Sequence, residues 1–375
     1  MRILHTADWH LGRSFHGESL LAAQAAAVDH VVQTARAERV GAVVLAGDLY
    51  DRALPPVDAV RLADEALRRL TEVCPVVVIP GNHDSAPRLG FGSGLLERAG
   101  LHVRADLRRL AEPVVLDETW IYGIPYLEPD LARAPLGCEG RGHGPVLEAA
   151  MDRVRTDLAR RPAGTRAVVV AHAFVAGADP CESERDLAVG GAASVSAATF
   201  AGADYVALGH LHGPQRIGSR GRYAGSPVAF SFSEARHRKS LALVDLDSGD
   251  VELADVPVTR ALAVLRGTLE ALLSDPALVA DEGAWVQATL TDPARPADGM
   301  ERLRRRFPNT VLLAFEPEGG ASAPAGSYAE RLRGLDDQEL LASFVRDVRG
   351  AEAGEEELAL LRDALTAGRV AEVSG

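Results

Sequence analysis

Five short apolar runs that each end in polar side chains constrain the fold of this chain more than any other feature. The runs are RILHTAD, GAVVLAGD, VVVIPGNHD, AVVVAHAF and DYVALGHLH, and amphipathic helical patterns such as 19–39, 57–71 and 146–161 lie between them. Alternating strands and helices indicate an α/β protein with a largely parallel sheet. The carboxyl ends of parallel strands share one edge, where ligands bind. We therefore expect the polar residues after these runs to converge on one site.

The polar residues at the ends of the runs are of the types that bind metal ions. They supply carboxylate, imidazole and amide donors from Asp8, His10, Asp48, Asn82, His172, His210 and His212. Such mixed donors suit manganese, iron or zinc, and they outnumber the ligands of one tetrahedral zinc. Two ions about 3.5–4 Å apart can activate a water and hold the oxygens of a phosphoryl group. Taken singly, each motif also has a structural explanation, such as a core histidine at His172, but their ordered repetition favours a metal site.

Composition and charge narrow the class of protein. The chain has 375 residues, with 47% hydrophobic and 25% charged residues, as in ordinary globular proteins of two or three domains. We expect no membrane span and no secretory signal, because the first strand begins at Arg2. Three scattered cysteines predict reduced thiols and a cytoplasmic protein. The net charge of −13 argues mildly against binding of nucleic acid over the whole surface, although a local basic patch can still bind it.

The later part of the chain predicts further units. From 222 to 258 the pattern is mostly strands, which suggests a second sheet packed on the first. A small α+β domain with a βαββαβ-like pattern follows. Next comes EPEGGASAPAGSYA, whose composition predicts a flexible tether, and then two helical patterns. The predicted boundaries are 1–258 for the layered α/β domain, 259–316 for the small domain, 317–330 for the linker and 331–375 for the helical segment.

The motifs DxH, GDxxD, GNHD, H and GHxH occur in this order, and the chain thereby resembles the calcineurin-like metallophosphoesterases. The stretches HTADWHLGRSFHG, SERDLAVGG, DYVALGHLHGPQ and YAGSPVAFSFSEARHRKS are similar to the SbcD nuclease family within them. The resemblance implies a four-layer α/β/β/α sandwich, a small α+β cap that positions DNA, and a C-terminal helical tail that binds a partner. It also implies two divalent metal ions, with Mn²⁺ as the expected ion.

The resemblance implies a role for each matching residue. The first ion would be held by Asp8, His10, Asp48 and His212, with Asp48 bridging to a second ion held by Asn82, His172 and His210. His83 would face the scissile phosphate and stabilise or protonate the leaving oxygen, and Asp84 would orient His83. Asp51 would orient a ligand of the GDxxD motif in the same way. The alternative is that Asp51 is a carboxylate at the start of a helix.

The function implied by the resemblance is hydrolysis of DNA in repair, recombination and replication. The implied enzyme is a 3′–5′ exonuclease on duplex ends and an endonuclease on single strands and hairpins. The resemblance also implies that it acts as a homodimer within a heterotetramer with an SbcC-type ATPase. This chain has no P-loop, so ATP would bind to the other chain. Two alternatives are a phosphatase or small-molecule phosphodiesterase with the same dinuclear centre, and a non-catalytic scaffold that holds DNA ends.

Two surfaces are predicted to contact macromolecules. The candidate DNA contacts are Arg13, His16, Arg238 and Lys239, each with a solvated loop or turn as the alternative. Gly213 stands where many relatives carry a basic or larger residue, which puts a local contact to the DNA backbone in doubt. The tail helices carry apolar stripes predicted to bind SbcC, at Leu341, Phe344, Val345, Val348, Leu361 and Leu365. A helical hairpin packed on its own chain is the alternative for these stripes.

Overall fold

The structure, a computed structural model, describes residues 1–184, 194–318, 335–349 and 352–374, without the side chains of 347–349 and 366–374. The chain divides into two compact units, Met1–Arg260 and Ala261–Gly375. Most of the predicted linker, 319–330, lies outside the described residues. Within the described part, no helix combines the length and apolar character that crossing a membrane requires.

The described strands are short, and most are buried. In chain order they are β1 (Arg2–Thr6), β2 (Ser14–Phe15), β3 (Glu18–Ser19), β4 (Ala42–Ala46), β5 (Val76–Ile79), β6 (Leu101–Val103), β7 (Val114–Leu116), β8 (Thr119–Ile124), β9 (Arg166–His172), β10 (Tyr205–Gly209), β11 (Gln215–Ile217), β12 (Gly221–Tyr223), β13 (Ser240–Asp245), β14 (Val251–Asp255), β15 (Leu262–Gly267), β16 (Trp285–Leu290) and β17 (Thr310–Phe315).

The described α-helices lie mainly between these strands, as the alternating pattern predicts. They are α1 (Leu21–Ala37), α2 (Val57–Thr71), α3 (Ala86–Leu89), α4 (Ser93–Leu96), α5 (Pro129–Leu136), α6 (His143–Leu158), α7 (Leu269–Ser274), α8 (Gly299–Arg306), α9 (Asp337–Arg349) and α10 (Glu355–Ser374). Short 3-10 segments occupy Glu97–Ala99, Leu107–Arg109, Ala197–Phe200, Phe232–Glu234 and Pro276–Asp281.

Two six-stranded sheets form the frame of the first unit. Their strand orders are β14-β13-β1-β4-β5-β6 and β11-β12-β10-β9-β8-β7. The central strands of each sheet are parallel. Antiparallel strands occupy both edges of the second sheet and the β13-β14 edge of the first, whereas β6 at its other edge is parallel to β5. Every residue of Val76–Ile79 is buried, as expected of a central strand that is covered on both faces.

Alternate residues along each central strand face different layers. Val43 and Leu45 pack against α1 and α2, whereas Val44 and Ala46 face the second sheet and pack near Val170. The outer face of the second sheet is covered by α5 and α6. The order of layers is therefore helices, sheet, sheet, helices, and the predicted α/β class is confirmed.

The structure corrects the predicted origin of the second sheet. Strands β13 and β14, from the segment expected to form that sheet, return to the first one, where β13 pairs antiparallel with β1. The second sheet consists of β7 to β12, so of the predicted segment only its start, in β12, lies in that sheet. Hydrophobic alternation identifies a strand, but long-range packing selects its partner, so the sequence pattern alone could not assign these strands.

The second unit contains a small three-stranded sheet. Strands β15, β16 and β17 are all parallel, and α7 and α8 connect them. The core beneath the helices includes Val286, Leu303 and Phe307. The βαββαβ-like expectation is wrong in its strand count, because each of these helices leads to a single strand within 261–318. The parallel βαβαβ order also makes this unit α/β in type rather than α+β. Helices α9 and α10 follow the sheet in the chain.

Candidate metal centre

The five polar motifs follow strands of both sheets of the first unit. Asp8, Asp48 and Asn82 follow β1, β4 and β5 of the first sheet, whereas His172 ends β9 and His210 follows β10 of the second. The two sheets pack face to face, so the carboxyl ends of these strands meet. The predicted ligands thus converge, but from two facing sheets rather than along one edge.

The backbone is strained where it presents several of these side chains. Asp8, His10, Asp48 and His210 have φ angles of 54°, 43°, 50° and 112°. Positive φ is unfavourable for residues with a Cβ atom, and such conformations persist where the surrounding structure enforces them, often at functional sites. The strain therefore marks the turns that aim these side chains into the centre.

Two glycines allow the turns to approach each other closely. A Cβ atom on Gly81 would lie 2.1 Å from Asp48 Oδ1, and one on Gly47 would lie 2.2 Å from His172 Nδ1. Gly47 also has a φ of 94°, a conformation that glycine adopts without steric cost. Any side chain at these positions would displace a predicted ligand.

The first group of donors surrounds His10 and His212. Their Nε2 atoms lie 3.1 Å apart, and Asp48 Oδ2 lies 3.5 Å from His10 Nε2. Asp8 joins the pair, with the ligand atoms of the three residues within 4.8 Å of one another. All four side chains are buried. Such a compact set of imidazole and carboxylate donors fits one divalent cation.

The second group of donors lies around Asn82. Its Oδ1 is 2.8 Å from His172 Nε2 and 3.3 Å from His210 Nδ1. His172 Nδ1 donates to the Ala46 carbonyl at 2.9 Å, so Nε2 of the neutral ring carries a lone pair that faces an oxygen acceptor. A cation between two acceptors would stabilise this arrangement. Asp48 Oδ2 lies 3.6 Å from His172 Nε2 and therefore stands between the two groups.

The shifted pKa values of the buried histidines favour the neutral imidazole, which is the form that binds metal ions. Burial lowers the pKa of His172 and His212 to about 4, and burial with neighbouring histidines lowers the pKa of His10 and His210 well below the ordinary value. Burial and the Asp48 charge raise the pKa of Asp8. The imidazoles are therefore neutral, as ligands must be, and a cation would relieve the cost of burying two carboxylates.

His83 lies beside the donors and is more exposed than most of them. Its backbone N–H donates to Asp48 Oδ1 at 2.8 Å, and its Nδ1 donates to the carbonyl of Asp51 at 2.7 Å. The ring stands edge-on to that of His10, with centroids 4.6 Å apart. His83 and Asn82 are only half-buried, so the centre is less covered at these two residues than at its fully buried donors.

Asp84 does not orient His83 as predicted. Its carboxylate accepts backbone N–H groups from Gly81, Tyr50 and Leu49 at 3.0, 2.9 and 3.1 Å. Burial, together with the charge of Asp48, raises its pKa to about 7. Asp84 ties the GNHD turn to the GDLYD turn, and the carbonyl of Asp51 positions the ring instead. The Asp51 carboxylate lies 3.8 Å from His10 Nδ1, beyond hydrogen-bond distance.

Comparison with known proteins places this geometry in a family. Residues 1–214 match the model of the calcineurin-like phosphoesterases, and residues 258–349 match the model described as type 5 capsule protein repressor C-terminal domain. The chain is 30% identical over 356 residues to the SbcD subunit of nuclease SbcCD from Staphylococcus saprophyticus, with 93% of this chain and 94% of that protein covered. The chain belongs to the SbcD family of calcineurin-like phosphoesterases. The resemblance found in the motifs is confirmed.

Two solved structures show distant similarity to this SbcD-family chain. TT1561 of Thermus thermophilus has a TM-score of 0.42 and 15% identity, covering 68% of this chain and 99% of its own. GAP50 of Plasmodium has a TM-score of 0.35 and 12% identity, covering 86% and 99%. At these values neither similarity carries an argument about function.

Polar residues that the sequence motifs did not indicate surround His212 in this SbcD-family site. Ser183 Oγ lies 2.7 Å from His212 Nδ1, and Glu184 Oε1 accepts the backbone N–H of His212 at 2.6 Å. Glu234 is buried next to Ser183. Because these contacts join distant parts of the chain, spacing gave no signal for them, although Ser183 and Glu234 lie in the stretches that carry the family resemblance.

The structure corrects the prediction that Lys239 contacts DNA. Lys239 is buried, and its Nζ donates to Ser226 Oγ at 2.9 Å, to the His212 carbonyl at 3.2 Å and to Glu234. With three N–H groups engaged, none is left for a phosphate. One signal was available: Lys239 is the single lysine of a chain whose other basic residues are arginine.

The other candidate DNA contacts differ in their surroundings. Arg13 is half-buried beside the centre, stacks 4.8 Å from the Phe230 ring centroid and donates to the Ser183 carbonyl. Its Nη1 has no hydrogen-bond partner among the described residues. His16 is exposed between β2 and β3. Arg238 is exposed but pairs with Asp255. Of these three, Arg13 is the one described beside the centre, and its unpartnered Nη1 is itself buried.

The tail helices carry the predicted apolar residues with differing exposure. Phe344 is 55% exposed, whereas the other described members of the two stripes, Leu341, Val345, Leu361 and Leu365, are half-buried. The side chain of Val348 lies outside the described residues. The predicted contact with SbcC therefore stays a prediction.

Proposed function

We propose that this chain is the DNA-cutting subunit of a nuclease and that it hydrolyses phosphodiester bonds together with an SbcC-type ATPase. The observation that carries the proposal is the pair of donor groups that meet at Asp48, 3.5 Å from His10 Nε2 and 3.6 Å from His172 Nε2. Family membership supplies the substrate class, since the relative is named as a nuclease subunit. The proposed activities are 3′–5′ exonuclease action on duplex ends and endonuclease action on single strands and hairpins.

Two divalent ions, with Mn²⁺ proposed, would occupy the two donor groups. Asp8, His10 and His212 would hold one ion, Asn82, His172 and His210 the other, and Asp48 both. When bound, such a pair supplies Lewis-acid stabilisation of a phosphoryl group and activation of water. The chain itself contributes neutral imidazoles. The His172 ring is fixed by its hydrogen bond to the Ala46 carbonyl and the His212 ring by Ser183, so these two donors need not rearrange on binding.

His83 is proposed to move a proton during the reaction. Its Nδ1–H is committed to the Asp51 carbonyl, which leaves Nε2 as the nitrogen that exchanges a proton with the leaving oxygen. The hydrogen bond from its backbone N–H to Asp48 Oδ1 holds His83 next to the donor groups. General acid catalysis of this kind typically contributes about 10²–10⁴-fold in rate.

Arg13 is proposed to hold a phosphate of the DNA backbone. Its guanidinium is held by the Phe230 ring and by the Ser183 carbonyl. Its Nη1 is buried without a partner among the described residues, so a phosphate would reach it only after a local movement. A charge-assisted contact from a pre-oriented arginine is favourable for phosphate. His16 is proposed to make a weaker contact at the same side of the centre.

The remaining parts of the chain are proposed to serve DNA and partner binding. Within the predicted boundaries, 1–258 is the nuclease domain, 259–316 a cap that positions DNA, 317–330 a linker and 331–375 the segment that binds SbcC. The proposed assembly is a homodimer within a heterotetramer in the cytoplasm. Asp84 is proposed to act on the reaction only through the turns that it ties together.

A digestion assay separates this function from its alternative, a phosphatase or small-molecule phosphodiesterase. The purified chain is incubated with Mn²⁺ and end-labelled duplex, hairpin and single-stranded DNA, with and without its ATPase partner, and in parallel with an aryl phosphodiester and an aryl phosphate. Asp48→Asn serves as the inactive control. We expect metal-dependent DNA cleavage that the control lacks. Hydrolysis of the small esters without any nicking of DNA, even with the ATPase, would overturn the proposal.

A further inference from the structure

His212 is held by polar contacts at its ring and at both of its backbone groups. Its N–H donates to Glu184 Oε1 at 2.6 Å, and its carbonyl accepts from Lys239 Nζ at 3.2 Å. Its ring Nδ1 lies 2.7 Å from Ser183 Oγ. Ser183 and Lys239 are buried. The residue therefore has little freedom to rotate its ring or to shift along the chain.

The directions of the hydrogen bonds around Ser183 follow from the number of hydrogens available. A serine hydroxyl has one hydrogen, and it donates to Glu234 Oε1 at 2.5 Å, because a carboxylate can only accept. Ser183 Oγ must then accept from His212. The hydrogen of the neutral His212 ring is thus on Nδ1, and Nε2 carries the lone pair that faces the first donor group.

The hydrogen-bond donors around Glu234 stabilise its ionised carboxylate. Oε1 also accepts the backbone N–H groups of Phe230 and Ser231, at 2.9 and 3.1 Å, and Oε2 accepts from Lys239. The Lys239 ammonium and the two backbone N–H groups stabilise the ionised form of Glu234. The ionised form is the one that cannot return a proton to Ser183.

We propose that Ser183, Glu234 and Lys239 are positioning residues that fix His212 in its Nδ1-protonated tautomer and so present Nε2 to a divalent cation. The proposal rests on the proposed function insofar as His212 is a metal ligand. Partners of this kind commonly change metal affinity by about 10–100-fold when they are removed. The single lysine of the chain would then support the metal site and would not bind nucleic acid.

The spectroscopic test reads the tautomer directly in the metal-free chain. The eleven histidines are labelled with ¹⁵N, and the His212 signals are assigned by their loss in His212→Gln. We expect a protonated Nδ1 and an unprotonated Nε2 in the wild type. Ser183→Ala should transfer a substantial part of the population to the Nε2-protonated form, whereas Ser183→Thr, which keeps the hydroxyl, should retain the wild-type signals.

The binding test uses Mn²⁺ alone and the same variants. Titration followed by electron paramagnetic resonance should show about 10–100-fold weaker binding at one of the two sites in Ser183→Ala, and near-normal binding in Ser183→Thr. Thermal unfolding verifies that each variant is folded. If Ser183→Ala does not fold, Ser183→Cys supplies the comparison, since a thiol accepts only weakly and should give an intermediate shift.

The proposal is overturned if removal of the hydroxyl leaves both the His212 tautomer and the Mn²⁺ affinity unchanged. It is also overturned if Ser183→Thr is as impaired as Ser183→Ala, because volume rather than the hydroxyl would then matter. Failure of the proposed function gives a different result: the tautomer and binding patterns would hold while the wild-type chain cuts no DNA.

Discussion

His172 Nδ1 donates to the carbonyl oxygen of Ala46 across 2.9 Å, and this hydrogen bond joins the last residue of a strand in one sheet to the last residue of a strand in the other. Ala46 precedes the Gly47-Asp48 turn, so the bond sets the distance between the Asp48 carboxylate and the His172 ring. The metal centre is therefore built into the contact between the two sheets.

Substitution of Gly81 should disrupt the centre and shift the turn at Asp48, whose backbone nitrogen would lie 2.5 Å from the new Cβ atom. A Cβ atom there would lie 2.1 Å from Asp48 Oδ1, so Gly81→Ala must displace the carboxylate that both donor groups share. We expect Mn²⁺ binding, measured by isothermal titration, to fall at both sites. Gly94→Ala is the matched control, because a Cβ atom on Gly94 meets no atom within 4 Å. Equal Mn²⁺ binding by the two variants would contradict the geometry described.

Removal of the His83 imidazole should affect turnover and spare metal binding. His83→Gln is expected to lower DNA cleavage by about 10²–10⁴-fold, as for loss of a general acid, while Mn²⁺ affinity stays near that of the wild type. Single-turnover cleavage and metal titration measure the two effects separately. A variant that cuts DNA at the normal rate would remove His83 from the mechanism.

The two arginines predicted to contact DNA should differ in their effect. Arg13→Gln removes a half-buried positive charge beside the centre, and we expect at least a tenfold loss in kcat/KM on duplex DNA, or about 1.4 kcal/mol. Arg238→Gln removes an exposed arginine that already pairs with Asp255, and it should change cleavage little. The reverse order of effects would contradict this assignment.

Stability should fall in mildly acidic solution because histidines are buried in their neutral form. His5 lies between the Tyr205 hydroxyl and the Leu208 carbonyl, and burial lowers its pKa to about 3 from an ordinary 6.5. The unfolded chain therefore binds one more proton at this position between those values. The contribution of the neutral His5 ring to the free energy of unfolding is fully present above pH 6.5. It is lost as the pH falls toward 3, by about 1.4 kcal/mol per pH unit.

Urea unfolding of metal-free protein between pH 4.5 and 5.5 measures this contribution. The other buried histidines, such as His172 and His212, titrate in the same sense, so the wild type should show a steep loss. His5→Gln should reduce the slope of unfolding free energy against pH by about 1.4 kcal/mol per unit. An unchanged slope would mean that His5 is already protonated in the folded chain.

The sequence predicted the donors of the centre because each lies directly after a run of buried apolar residues. Helix α2 was predicted with the bounds that it has, Val57–Thr71, since its apolar and charged residues alternate with a clear helical period. In contrast, the return of Ser240–Asp245 to the first sheet depends on pairing over more than 230 residues, which no local pattern encodes.

Side-chain roles that depend on tertiary contacts were the least predictable. Lys239 belongs to a short basic run that suggests a surface turn, and only the fold reveals that its stem turns inward to Glu234. Asp84 is adjacent to His83 in sequence, yet its carboxylate binds the backbone of another turn. Proximity along the chain is a poor guide to contact where tight turns send successive side chains in different directions.

The most direct test of the account is a Mn²⁺ titration of the wild-type chain and of Asp48→Asn, followed by electron paramagnetic resonance. Asp48 stands between the two donor groups, so the account predicts two bound ions that are magnetically coupled in the wild type and loss of that coupled pair in the variant. A wild-type chain that binds no Mn²⁺, or an Asp48→Asn variant that retains the coupled pair, would contradict it.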